Sequence, residues 1–126
     1  MIAEPEGDVG HYVATLIFPS PGIWSWSISA FGPEQSLPPL AVLSLTEYGE
    51  ALFVAKGCAM CHVHRESGVT PVATINRGPD LSRRSFDAAY LREWLRDPSA
   101  VDSDAVMPAL GLSDDEINAL IAFLNG

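Results

Sequence analysis

The sequence predicts a mainly α-helical domain preceded by an N-terminal β-hairpin. Three observations carry this: apolar residues recur at helical spacing behind two Ser-x-x-Glu signals, period-two alternation is confined to the first thirty residues, and a Pro- and Gly-rich stretch separates the two patterns. A chain of 126 residues, 48% hydrophobic and 18% charged, suits one compact domain with some attached extra. It holds no run of about 18 apolar residues of the kind that spans a bilayer.

Tyr12 to Phe18 is β-branched and aromatic, and from Trp24 the residues Trp24, Trp26 and Ile28 alternate strictly with Ser25, Ser27 and Ser29. Pro19-Ser20-Pro21-Gly22 between them has turn chemistry, so the two runs are expected to pair with each other. The apolar face of that hairpin needs a cover, either the following domain or a second copy in a homodimer. The alternative is a remnant of an upstream domain with no role of its own. Phe31 to Leu43, with Gly32, Pro33, Pro38 and Pro39, reads as an extended linker. The boundaries are therefore 1–43 and 44–126.

Ser44-Leu45-Thr46-Glu47 has capping-box spacing and opens a helix through about Lys56, with Leu45, Tyr48, Leu52, Phe53 and Ala55 largely on one side. Gly57 ends it. His64 to Asp80 is loop-like. A cap at Ser85 or Asp87 starts a helix over Ala88–Arg96 with Tyr90, Leu91, Trp94 and Leu95 inward, stopped by Pro98. A second capping box, Ser113 to Glu116, opens a last helix with Ile117, Leu120, Ile121, Phe123 and Leu124 buried, and its three first-turn acids suit the helix dipole.

Both cysteines fall in one run, Cys58-Ala59-Met60-Cys61-His62. C-x-x-C-H is the attachment signature of a c-type haem: two thiols on one turn add to the two vinyl groups, and the next imidazole ligates the iron. Structural zinc would need four ligands, which Cys58, Cys61 and His62 or His64 supply only if His11 or a carboxylate completes them. A thioredoxin-like dithiol follows a strand, whereas a helical pattern precedes this run. A disulfide across two residues would constrain little of the unfolded chain. Haem is the reading that uses every residue of the motif.

Sixteen acids against seven bases give a net charge of −9, and residues 1–43 hold four of the acids and no Lys or Arg. That balance excludes nucleic acid as a partner and makes a basic protein the expected docking partner. Copper of the cupredoxin kind is excluded as well, because residues 1–43 contain no cysteine and only His11.

With helix, C-x-x-C-H, loop, helix, Met-Pro and closing helix in order, residues 44–126 resemble a class I cytochrome c. The resemblance implies that Gly49 and Phe53 let the first and last helices cross closely, with Leu120, Phe123 and Leu124 as partners. It assigns the Pro79 carbonyl of Gly78-Pro79-Asp80-Leu81 to the Nδ1 proton of His62, Leu81 to the porphyrin face, and Met107 to the sixth iron position. Trp94 is expected to pack on the haem pocket. Arg77, Arg83 and Arg84 are candidates for the propionates, with solvated surface arginines as the alternative. The short Phe18-to-Trp24 stretch resembles the closing strands of an immunoglobulin-like β-sandwich.

The implied function is electron transfer by covalent haem c with His62/Met107 axial ligation, in a carrier and not an enzyme, between redox protein partners. A five-coordinate haem sensor, gas-binding domain or peroxidase is the alternative. Thioether attachment implies an extracytoplasmic location, periplasmic or on the outer face of the cytoplasmic membrane. Met1 to Glu6 has neither a positive nor an apolar leader region. The chain is thus expected to be a piece of a longer exported or membrane-tethered respiratory protein, or one whose leader gave way to Met1.

Overall fold

The computed structural model describes residues 2–30, 32–65 and 78–126. Two compact units divide the chain, residues 1–42 and residues 43–126.

The first unit is a pair of two-stranded antiparallel ribbons. Strand β1 (Glu4–Pro5) pairs with β2 (Tyr12–Val13), and β3 (Gly22–Ile28) pairs with β4 (Gln35–Val42). The expected pairing of Tyr12–Phe18 with the Trp24 strand is therefore wrong, as is the reading of residues 31–43 as a linker. Trp24 faces Leu40 and Trp26 faces Leu37, so β4 carries one more residue than β3 across this interval, a bulge at Pro38-Pro39. A bulge leaves residues outside the ladder, and prolines without an N–H cost no ladder bond there. Those prolines are what made the segment look like linker. The Pro38 carbonyl instead accepts the Trp26 indole N–H at 2.8 Å. Phe18 packs its ring on Trp24, with centroids 5.5 Å apart, without joining the strand. Trp24 and Trp26 are only half-buried and Ile28 is exposed; no described residue of this unit is fully buried.

The second unit is helical. Helix α1 (Leu45–Ala55) opens on a complete capping box, the Glu47 N–H donating to Ser44 Oγ at 3.2 Å and the Ser44 N–H to Glu47 Oε2 at 2.8 Å. Helix α2 (Ala88–Arg96) is capped by Asp87, and α3 (Pro98–Val101) starts on Pro98, whose fixed φ suits a first helical turn. Helix α4 (Asp114–Leu124) opens on the second capping box, Ser113 with Glu116.

Helices α1 and α4 form the main crossing. A Cβ on Gly49 would lie 2.6 Å from the Ala119 carbonyl carbon and 2.7 Å from Phe123 Cβ, so only glycine permits this approach. Phe53 and Phe123 meet with centroids 5.5 Å apart. The core is Leu52, Phe53, Leu91, Leu95 and the inner face of α4, with Ile117 and Leu120 at 0% and 1% exposure. Such side chains each contribute about 1.5–3 kcal/mol of burial. The α1 stripe is narrower than the apolar pattern suggests: Gly49, Leu52 and Phe53 are buried, whereas Leu45, Tyr48 and Ala55 are exposed flanks of the crossing. Likewise Leu91 and Leu95 are buried on α2 while Tyr90 is exposed. Asn125 clips the segment before α2 to the end of α4, accepting from the Phe86 N–H at 2.7 Å and donating to its carbonyl at 3.1 Å. Among the described residues no helix is long and apolar enough to cross a membrane.

Candidate functional site

Helix α1 ends where Gly57 turns the chain in the left-handed region at φ 79°, a conformation glycine enters without strain. A single 3₁₀ turn, Cys58–Met60, follows. The Cys58 carbonyl accepts the N–H groups of both Cys61 (3.1 Å) and His62 (2.9 Å), which folds the two cysteines and the histidine into one compact loop. Both thiols are free and half-buried. Burial pushes the Cys58 thiol up, and the neighbouring Cys61 adds to the shift, so the protonated form prevails at neutral pH.

Beyond His62 the chain leaves and returns beside itself. The Gly78 N–H donates to the Cys61 carbonyl at 3.0 Å and the Leu81 N–H to the Val63 carbonyl at 2.8 Å. This pairing brings Pro79 to His62, whose Nδ1–H donates to the Pro79 carbonyl at 3.0 Å across 17 residues of sequence. A carbonyl can only accept, so Nδ1 carries the proton and Nε2 keeps its lone pair for a metal. Gly78 has a steric role as well: a Cβ there would run into the His62 ring, 2.8 Å from Nε2. The return strand is fastened by the Arg65 N–H on Ser82 Oγ (2.9 Å) and the Ser82 N–H on Asp80 Oδ1 (2.9 Å). Hydrogen bonding from the Ser82 side chain, then from its backbone N–H, holds the Asp80 carboxyl below its usual range.

Met107 is half-buried against the core, as are Cys58 and Leu81. Its Sδ accepts the indole N–H of Trp94 at 3.2 Å. Trp94 therefore directs its N–H to a sulfur, not to a carboxylate, and does more than fill space. Tyr90, one turn earlier, stacks on the indole with centroids 5.9 Å apart and planes 27° apart.

Other sequence candidates lie elsewhere. His64 is buried at 8% exposure with its ring 4.5 Å from Phe123 and 5.9 Å from Phe53, a core histidine behind the motif. His11 donates Nδ1–H to the Glu6 carbonyl at 2.8 Å, within the first unit. Met60 is 45% exposed. Arg83 and Arg84 are exposed, and Arg77, with most of the 64–80 loop, lies outside the described residues. Among the described residues no three His, Cys, Asp or Glu side chains gather in a metal-holding group. The donors present fit a covalently attached haem instead: two free thiols in one turn, an imidazole with Nε2 free, and a thioether.

Known proteins give a concordant result. A family model described as Cytochrome c matches residues 46–126. No curated protein and no solved structure matches the chain.

Proposed function

Because this chain belongs to the cytochrome c family, whose haem c and iron are held covalently and serve electron transfer, we propose that it is a single-haem electron carrier with His62 and Met107 as axial ligands. The observation that carries the reading is the Nδ1–H of His62 on the Pro79 carbonyl at 3.0 Å, which fixes tautomer and ring plane and raises the basicity of Nε2. When bound, the haem supplies the one-electron chemistry.

The chain's own residues do the rest. Cys58 and Cys61 would hold the group on the turn after α1, each by adding its S–H across a vinyl double bond, sulfur to one carbon and hydrogen to the other. Gly78 leaves room for the His62 ring, and Pro79 holds it. Met107, followed by Pro108, offers a soft sulfur that suits the reduced metal and raises the potential. With both axial positions taken by protein, no substrate reaches the iron, and electrons pass to basic redox proteins drawn by the net charge of −9. Because thioether formation belongs to extracytoplasmic maturation, the carrier works outside the cytoplasm.

Visible spectra of matured protein test this. Low-spin spectra in both redox states and no rapid carbon monoxide binding are expected, while Met107→Ala should lower the potential and admit carbon monoxide. A high-spin ferrous wild-type protein that takes up carbon monoxide at once would make the domain a sensor, gas-binding protein or peroxidase.

A further inference from the structure

The ribbon of β3 and β4 has two unlike faces. Trp24, Trp26 and Ile28 share one of them with the cross-strand residues Leu40 and Leu37, and Phe18 extends it by packing on Trp24. Ile23, Ser27, Ala41 and Ser36 lie on the other. Apart from Gln35, which ends the first face opposite Ile28, its side chains offer a partner nothing polar. The Trp24 indole N–H is spent on the Ser20 carbonyl at 3.0 Å and that of Trp26 on the Pro38 carbonyl at 2.8 Å. Glu34, in the turn between the strands, accepts from Ser27 Oγ on the opposite face. Yet the apolar face is open: Ile28 is 50% and Leu40 38% exposed. A two-stranded ribbon in that condition is marginal in water.

We propose that a second copy of this chain covers the face, the two ribbons packing as a small sandwich. The face requires an uncharged apolar surface of its own size, and its copy supplies one. A two-fold axis along the strands sets β3 of one copy over β4 of the other, so indole rings lie on leucines and every contact occurs twice. With strands of 7 and 8 residues, such packing removes on the order of 1,000 Å² from water in the pair, the size at which specific interfaces begin. Charge points the same way. A basic partner would bind through the acids of residues 1–43 and weaken with salt, whereas contact between two neutral faces is opposed only by the long-range repulsion of −9 on each chain.

Sedimentation equilibrium of the full chain tests this. The mass should be twice that of one chain, and the dimer should strengthen between about 0.02 and 0.5 M salt as the repulsion is screened. Ile28→Asp should raise the dissociation constant at least about 10-fold, because it carries a carboxylate into an apolar contact. Ile23→Asp, the same change on the opposite face at a position 72% exposed, should leave the constant as it is. A monomer at every concentration and salt, an association that salt dissolves, or equal effects of the two substitutions would each overturn the proposal. Should Ile28→Asp not fold, the wild-type protein decides. In a mixture of isotope-labelled and unlabelled chains, filtered NOEs between copies should join the Trp24 and Trp26 rings to the Leu37 and Leu40 methyl groups. Their absence, or NOEs from those rings only to residues 43–126 of the same chain, would sink the second copy as the cover.

Discussion

The Lys56 ammonium lies 2.7 Å from the Glu116 carboxylate, joining the C-cap of the first helix to the first turn of the final one. The same carboxylate accepts the Ser113 N–H at 2.9 Å, so one side chain serves a helix cap and a tertiary contact.

This sharing has a pH signature. Hydrogen bonding from Lys56, then from Ser113, holds the Glu116 carboxyl below its ordinary 4.5, and bonds from Ser44 do the same for Glu47. Groups with lowered values in the folded state stabilise it fully above their unfolded values, and that contribution disappears as pH falls through the lowered ones. Thermal unfolding of the holoprotein should therefore show a midpoint that declines as pH drops below 4.5. Lys56→Met should flatten that decline; an identical slope in both proteins would contradict the assignment.

Gly49→Ala places a methyl group against the Ala119 backbone, which cannot step aside as a side-chain tip would. Overpacking of this kind costs about 1–3 kcal/mol. Urea unfolding should place the loss at the upper end of that range, with the haem spectrum of the folded protein retained.

Gly78→Ala acts on the other side of the motif. The added carbon pushes on the His62 ring and lengthens its bond to Pro79. A less basic imidazole stabilises the oxidised metal less, so the midpoint potential should rise relative to the wild-type protein. Potentiometric titration of the two proteins side by side gives the comparison.

Residues 43–126 hold the described buried core, and no described residue of the first unit is fully buried. A chain starting at Leu43 should accordingly mature with haem and unfold at the same temperature as the 126-residue protein. A lower midpoint by calorimetry would show that the ribbons stabilise the helical unit.

Local signals in the sequence carried most of the helical unit. Ser44, Asp87 and Ser113 announce helix starts because a cap needs only residues three positions away, and Gly57 and Pro98 mark ends for equally local reasons. Partners distant in the chain were harder to read. The contact of Ala119 with Gly49 is hidden because small residues are silent in an apolar pattern, though its place four residues before Phe123 is a usable clue. The Trp94–Met107 bond joins α2 to the segment after α3, and no periodicity reports where an indole N–H points. In the first unit, Pro38 and Pro39 hid a strand because proline signals linker unless a bulge is foreseen.

That proline pair has an effect on neighbouring molecules. Neither Pro38 nor Pro39 has an N–H, so this stretch of β4 offers no backbone donor to a strand approaching its outer edge. An isolated ribbon would otherwise present a template on which further chains could add. Here a strand adding to β4 would meet a gap in its ladder at Pro38-Pro39, which disfavours edge-to-edge growth.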